Sequence, residues 1–197
     1  MISTERQSGS EAARSRTWRT RDIAIAAVIG VAFGVVFWAW GLAYRGVEPL
    51  FVAAPWAQDL LYGVWLMPAV LAPLVVRKPG AALFAEIVAA GVSALLGSQW
   101  GVDALLSGFL QGLGAEVVFF ATAYRRYDFP VLAAAAIGSA FAAWIHDWVL
   151  YYAAIDPVIQ LLRGGAMAIS AVVIVAYGSV LLARSLRRSG VLQGFPV

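Results

Sequence analysis

The chain has 197 residues, of which 62% are apolar and only 13% are charged, and its formal net charge is +3. Soluble domains carry about 25% charged residues, so this composition excludes an ordinary water-facing protein and predicts an integral membrane protein. The sequence contains no cysteine, which excludes disulfides and thiol chemistry, and its basic residues lie at segment ends rather than in a patch suited to nucleic acid.

The first 21 residues are polar, basic and rich in serine and arginine, which predicts a disordered cytoplasmic tail. The apolar run that follows, 23–40, leads into no small-residue cleavage site, so we interpret it as a retained first span rather than a signal peptide. No internal repeat is visible in the remaining sequence. Residues 22–197 are therefore predicted to form one transmembrane domain.

Six stretches of the chain are long and apolar enough to cross a bilayer, which takes about 20 residues of helix. They are residues 22–44, 59–76, 79–97, 103–123, 130–153 and 157–183. Pro79, Pro130 and Pro157 stand in the first turns of their helices, where a missing N–H is tolerated. The sequence predicts an all-α bundle of six transmembrane helices.

The basic residues predict how this bundle is oriented, because lysine and arginine in short loops mark the cytoplasmic side. On the six-span layout 12 of the 14 lysines and arginines fall on the side of the two termini, while Arg45 lies opposite. We therefore expect both termini in the cytoplasm and the protein in the plasma (inner) membrane of a bacterium.

A stripe of small residues in the first span, Ala26, Gly30 and Gly34, recurs at four-residue spacing. Such stripes let helix backbones approach closely within lipid. The sequence leaves two interpretations open for this stripe, either packing within the chain or docking of another membrane subunit.

Polar and small residues also recur at helical spacing in the third and fourth spans. They are Glu86, Ala90, Ser93 and Gly97 in the third span and Asp103, Ser107 and Gln111 in the fourth. Polar side chains at bilayer depth avoid lipid and face a bundle interior or a cavity. The two stripes predict the walls of a cavity that runs toward the outer end of the bundle.

Seven of the eight tryptophans map to the outer half of this layout, whereas an aromatic belt would occupy both interfaces. The asymmetry favours an aromatic pocket that is open to the outside. Aromatic faces combined with a few acids suit a flat cation, through cation–π contacts of about 0.5–2 kcal/mol each.

Several charged residues have alternative interpretations at this stage. Glu116 is predicted to pair with Arg77 or Lys78 rather than to touch a ligand. Asp147 either forms an ion pair with Arg163 or adds negative potential to the pocket.

The single histidine, His146, is expected to donate a hydrogen bond rather than to bind metal. No metal site and no cofactor are predicted. The sequence has no phosphate-binding loop of the GxxxxGK[ST] type, and no GxSxG or HExxH motif. The chain is therefore expected to be neither an ATPase nor another enzyme.

Two strings, RKPGAAL at 77–83 and QGLGAE at 111–116, are similar to the YkoE-like family. This family comprises substrate-binding S components of energy-coupling factor (ECF) transporters for thiamine and its hydroxymethylpyrimidine precursor. Further similarity appears at Glu48-Pro49, Gly63-Val64-Trp65, Asp147, Arg163 and Gly190-Val191-Leu192, so the resemblance runs from about residue 22 to the C-terminus. Where the family often has tyrosine, this chain has His146.

The resemblance implies a six-helix S component that captures a vitamin outside the cell and acts with a transmembrane coupling subunit and cytoplasmic ATPase subunits. It implies that the first-helix stripe Ala26, Gly30 and Gly34 docks on the coupling subunit. On this basis Glu86 and Gln111 are predicted to recognise the aminopyrimidine edge. The other predicted pocket residues are Trp65, Gln99, Trp100, Asp147, Trp148 and Tyr151.

Three alternatives remain open from the sequence. The first is an S component for another vitamin, such as riboflavin or biotin. The second is an integral membrane enzyme that would use Glu86, Glu116 and His146. The third is a structural subunit whose polar stripes serve only packing.

Overall fold

A computed structural model describes residues 17–192 and Phe195, and these residues form a helical bundle. Its α-helices are α1 (Thr20–Val47), α2 (Met67–Val76), α3 (Ala81–Leu95), α4 (Asp103–Ala121), α5 (Phe129–Leu150), α6 (Pro157–Ser170) and α7 (Gly178–Arg188). Two 3₁₀ elements, Glu48–Phe51 and Pro55–Leu66, lie between α1 and α2, and a π-helical segment, Ala171–Tyr177, joins α6 to α7. We call Pro55–Leu66 the 3₁₀ segment.

Helix α2 is the centre of the bundle, and all ten of its residues are buried. It packs against α1, α3, α5 and α7. Its sequence has no charged residue and contains Pro68 and Pro73, so it presents no charged side chain to the interior of the bundle. Arg77 ends the helix in the left-handed conformation, with φ of 51°.

The predicted spans agree with the helices except at their ends and in the second and third spans. The third span was predicted to begin at Pro79, but Gly80 has φ of 84° and α3 begins at Ala81. A left-handed residue of this kind cannot continue a right-handed helix, and glycine adopts it without strain. The resulting α3, Ala81–Leu95, is about 22 Å long, which is shorter than a hydrocarbon core.

Within the described part of the chain, five helical stretches have the length and apolar composition of membrane spans, and Ala81–Leu95 is a shorter apolar helix. The five are Thr20–Phe51, Pro55–Val76, Asp103–Ala121, Phe129–Leu150 and Pro157–Arg188. The second combines the 3₁₀ segment with α2, a change of helix type that the hydropathy pattern does not indicate.

Most of the predicted tail, residues 1–16, lies outside the described residues. The last part of that tail is described, and α1 begins there at Thr20 rather than at residue 22. Trp18 packs edge-on against Phe84 and donates from its indole N–H to the Pro79 carbonyl at 2.9 Å. Residues 17–21 are therefore held against the bundle.

Candidate functional site: a polar and aromatic cavity

A cavity of about 780 Å³, counted with its open mouth, lies among α1, the 3₁₀ segment, α3, α4, α5 and α6. The cavity is lined by Phe37, Tyr44, Asp59, Tyr62, Trp65, Ala90, Ser93, Ser98, Trp100, Asp103, Ala104, Ser107, Gly108, Gln111, His146, Asp147, Tyr151, Tyr152 and Arg163. It therefore combines aromatic faces with acidic, amide and hydroxyl groups.

Trp65 is the hub of the aromatic wall. Its ring makes edge contacts with Tyr44, Tyr62 and Trp100, at centroid distances of 4.9, 5.4 and 5.0 Å. Its indole N–H donates to the Phe37 carbonyl of α1 at 3.3 Å. Because edge contacts and this hydrogen bond fix the ring, the aromatic wall is formed before any ligand arrives.

An ion pair crosses the cavity wall between Asp59 of the 3₁₀ segment and Arg163 of α6. Arg163 Nε donates to Asp59 at 2.7 Å and Nη2 donates at 3.3 Å. The Tyr44 hydroxyl donates to the same carboxylate at 3.3 Å, and the Arg163 guanidinium lies 3.5 Å from the centroid of the Tyr152 ring. The alternative of an Asp147–Arg163 pair is corrected by this geometry, because the guanidinium faces Asp59.

His146 joins two helices through two carboxylates at the opposite wall. Its Nδ1 lies 2.9 Å from Asp147 on α5, and its Nε2 lies 3.3 Å from Asp103 on α4. The hydroxyl of Tyr151 also donates to Asp103.

Gln111 presents its side-chain amide to the cavity from the middle of α4. Its Nε2 donates to the Ser107 hydroxyl at 2.7 Å and lies 3.4 Å from the Tyr62 hydroxyl. Asp103, Ser107 and Gln111 all line the cavity, so the face predicted from four-residue spacing is confirmed.

Comparison with known proteins assigns the chain to a family. The model of a family described as the permease component of an ABC-type cobalt transport system matches residues 21–142. The protein YkoE of Bacillus subtilis (strain 168), named as a candidate HMP/thiamine permease, is 37% identical over 180 residues, covering 91% of this chain and 89% of that protein. A crystal structure of an S-component of an ECF transporter matches with a TM-score of 0.87 and 36% identity, over 91% of each chain. This chain belongs to the YkoE-like family of ECF S components.

The family resemblance inferred from the two sequence strings is thereby confirmed, together with the S-component fold. This S component is a multi-pass membrane protein of a transport system.

The structure brings five of the predicted pocket residues of this S component to one cavity. They are Trp65, Trp100, Gln111, Asp147 and Tyr151. Two others lie elsewhere: Gln99 is exposed in the α3–α4 connection, and Trp148 packs on Trp144 at a centroid distance of 5.1 Å. Trp144 in turn donates to the Gln160 carbonyl of α6, so this indole pair serves helix packing.

Glu86, which was predicted to contact a ligand, is not among the residues that line the cavity. The residue is fully buried, and its Oε2 accepts from the Ala69 N–H at 2.8 Å. The first N–H groups of any α-helix lack partners within the helix. The Glu86 carboxylate is the partner of one such N–H, that of Ala69, at the start of α2, where the 3₁₀ segment ends inside the bundle.

The small-residue stripe of α1 faces α3, which corrects its interpretation as a free docking face. Ala26, Gly30 and Gly34 are buried. A Cβ at Gly34 would lie 2.4 Å from Val92 Cβ, and one at Gly30 would lie 2.7 Å from Val88 Cβ. The stripe permits close packing within the chain, the first of the two interpretations that the sequence left open.

Glu116 has a capping role rather than the predicted pairing with Arg77 or Lys78. Its two oxygens accept from the N–H groups of Gly80 and Ala82 at the start of α3. A carboxylate there satisfies unpaired donors and complements the positive end of the helix dipole. Lys78 Nζ lies 3.7 Å from Asp22.

Sequence reasoning missed most of the wall that the 3₁₀ segment provides. Asp59 and Tyr62 line the cavity with Trp65, at intervals of three residues. The interval was visible in the sequence, but on an α-helix it would spread these side chains around the axis. Only the knowledge that this stretch is a 3₁₀ helix makes the spacing a signal.

Proposed function

We propose that this S component captures thiamine, or its hydroxymethylpyrimidine precursor, from the outer side of the bacterial plasma membrane. The observation that carries the proposal is one cavity that holds the indoles of Trp65 and Trp100 beside the carboxylates of Asp59, Asp103 and Asp147. Flat heteroaromatic rings stack on aromatic faces, and cations are stabilised over them. The naming of its relative YkoE as a candidate HMP/thiamine permease supports the same ligand class.

The charge balance of the cavity favours a cationic ligand. Arg163 offsets Asp59, whereas the carboxylates of Asp103 and Asp147 both contact the single imidazole of His146. With both carboxylates ionised, these three groups have a net negative charge whether the imidazole is neutral or protonated. The thiazolium ring of thiamine is a permanent cation and would be attracted to this potential.

Gln111 and the adjacent hydroxyls suit the other half of the ligand. An aminopyrimidine has hydrogen-bond donors and acceptors along one flat edge, and a side-chain amide offers both in one plane. Gln111 lies on the cavity wall within hydrogen-bond reach of Ser107. We assign Gln111 to this edge, and Trp65, Trp100 and Tyr151 to enclosing the rings.

The proposed topology has six crossings with both termini in the cytoplasm, and α3 is its short crossing. The cavity residues Asp103, Asp147 and Tyr151 lie at the helix ends opposite the basic residues Arg77 and Lys78. By the positive-inside rule those basic residues lie in the cytoplasm, which turns the cavity mouth outward. Uptake would then be driven by ATP through a transmembrane coupling subunit and cytoplasmic ATPase subunits.

Titration calorimetry on the detergent-solubilised protein tests the ligand assignment. Thiamine is a cation and hydroxymethylpyrimidine is neutral, so Asp147→Asn should lower the affinity for thiamine about tenfold and leave that for hydroxymethylpyrimidine nearly unchanged. Asp156→Asn is the matched control, because Asp156 lies outside the cavity at the start of α6 and asparagine can also cap a helix. Equal losses for both ligands would refute the electrostatic assignment. Tighter binding of riboflavin, biotin or Co²⁺ than of either compound would refute the ligand class.

A further inference from the structure

The 3₁₀ segment is unusual in its length, and this length has a consequence for the cavity. It contains 12 residues, whereas 3₁₀ helices rarely exceed about 3–4 residues because their hydrogen-bond geometry is poorer than that of an α-helix. Contacts from outside the segment must therefore hold it in this form.

The 3₁₀ form places three cavity residues on one line. A 3₁₀ helix has 3.0 residues per turn, so side chains three residues apart eclipse one another. Asp59, Tyr62 and Trp65 have this spacing, and all three line the cavity. In an α-helix each interval of three residues falls short of a full turn by about 60°, which would place Trp65 about 120° around the axis from Asp59.

The Ser170 hydroxyl is inserted into the backbone ladder of the segment. It accepts from the Gly63 N–H at 2.8 Å and donates to the Leu60 carbonyl at 2.7 Å. These two backbone groups are the ones that a 3₁₀ turn would otherwise join directly. Gly63 is required for this approach, because a Cβ there would lie 2.8 Å from both the Ser170 carbonyl oxygen and Oγ.

A second side chain acts on the next carbonyl. The indole N–H of Trp40 on α1 donates to the Leu61 carbonyl at 3.1 Å. In an α-helix the carbonyls of Leu60 and Leu61 would accept from the N–H groups four residues later, those of Val64 and Trp65. Ser170 and Trp40 thus donate to two of the carbonyls that would have to change partners if the segment became an α-helix.

We propose that Ser170, at the junction of α6 with the π-helical segment, is a positioning residue that holds the 3₁₀ segment in the form that aligns Asp59, Tyr62 and Trp65 on the cavity. The residue contacts no cavity space itself and acts through the backbone of the segment. Its effect on ligand affinity rests on the proposed function, whereas its effect on the Trp65 environment does not.

The test compares Ser170→Ala with Ser139→Ala. Both changes remove one buried hydroxyl, but Ser139 Oγ has no hydrogen-bond partner among the described residues, and Ser139 lies on α5 outside the cavity lining. Calorimetry should show an affinity for thiamine about tenfold lower in Ser170→Ala, the effect of losing two hydrogen bonds, and an unchanged affinity in Ser139→Ala.

The second readout needs no ligand. The contribution of Trp65 to the emission is obtained by subtracting the spectrum of the matching Trp65→Phe protein, in the parent and in each serine variant. Iodide quenching of that contribution should change in Ser170→Ala and not in Ser139→Ala. Only Ser170→Ala removes hydrogen bonds to the backbone of the 3₁₀ segment.

Each outcome decides one of the two proposals. An unchanged Trp65 contribution in Ser170→Ala, or an affinity equal to that of Ser139→Ala, overturns the positioning role. If the parent binds neither thiamine nor hydroxymethylpyrimidine, the proposed function fails and iodide quenching alone decides the inference. If Ser170→Ala does not yield folded protein, Trp40→Phe replaces it. The same two measurements are made, and a lower affinity and changed iodide quenching of Trp65 are again expected.

Discussion

Arg163 and Asp59 form a two-point ion pair, at 2.7 and 3.3 Å, across 104 residues of sequence. Both side chains are buried, and the pair fastens the 3₁₀ segment to α6 at the cavity wall. Removing one partner of a buried pair is costly, since the other charge is left without compensation.

Asp59→Asn should therefore lower the free energy of unfolding by about 3 kcal/mol. Denaturant unfolding in detergent micelles, followed by circular dichroism, measures this change. Glu48→Gln is the control, because Glu48 is an exposed carboxylate at the start of the 3₁₀ element Glu48–Phe51. If the two variants have the same free energy of unfolding, the ion pair does not contribute to stability.

The bridge from His146 to Asp103 predicts energetic coupling between α4 and α5. In a double-mutant cycle of His146→Phe and Asp103→Asn, the coupling energy should be about 1–2 kcal/mol, because the two side chains are in direct contact. The unfolding free energies of the parent, the two single variants and the double variant give this value. Pairing His146→Phe with Asp156→Asn should give additive effects, and equal coupling in both cycles would contradict the bridge.

The close approach of α1 to α3 predicts opposite effects for two glycines of one helix. Gly34→Ala should destabilise the protein by about 1–3 kcal/mol, because the new Cβ would meet Val92. Gly46→Ala has open space around it and should be neutral or stabilising by up to about 1 kcal/mol. Thermal unfolding of both variants measures the difference.

The same experiment distinguishes packing from docking of the α1 stripe. Val92→Ala should restore only a small part of the stability that Gly34→Ala loses, since it removes Val92 Cγ1 but leaves Val92 Cβ and the Ala89 carbonyl oxygen, which the new Cβ would approach to 2.4 and 2.8 Å. A Gly34→Ala protein that is as stable as the parent but does not associate with the proposed coupling subunit would revive the docking interpretation.

Gln111 and Glu86, both buried polar residues, are predicted to differ in what they affect. Gln111→Ala should lower the affinity for hydroxymethylpyrimidine about tenfold with little loss of stability, since Gln111 lines the cavity. Glu86→Ala should cost about 1–2 kcal/mol of stability and leave affinity unchanged, since its carboxylate caps α2. Calorimetry and unfolding on both variants provide the comparison, and a Glu86→Ala protein that is stable but unable to bind would return Glu86 to the site.

The sequence predicted the α4 wall of the cavity correctly because that wall is a regular α-helix. Asp103, Ser107 and Gln111 share a face at any point where the helix is straight, whatever packs against it. The same reasoning placed Glu86 on a polar stripe with Ala90 and Ser93 but could not give its direction. Only the position of the α2 N-terminus, where the Ala69 N–H donates to Glu86, explains why that carboxylate turns away from the cavity.

Partners of charged residues were the least predictable feature. Proximity to the outer end of the bundle made Asp147 an acceptable partner for Arg163, and Asp59 was equally near by that criterion. The choice depends on which helices are neighbours, and the 3₁₀ segment packs on α6. Hydropathy reports the solvent of each helix and contains no information on neighbours.

Four features could be predicted from the sequence by itself: the membrane environment, the approximate spans, the α4 face of the cavity and the family resemblance. Each of these depends on local composition, on helical periodicity or on contiguous strings. The tertiary structure alone decided the 3₁₀ form of Pro55–Leu66, the Asp59–Arg163 pair and the burial of the α1 stripe. A 3₁₀ helix and an α-helix differ by one residue in hydrogen-bond register, and here Ser170 and Trp40, distant in sequence, bind the carbonyls that distinguish the two.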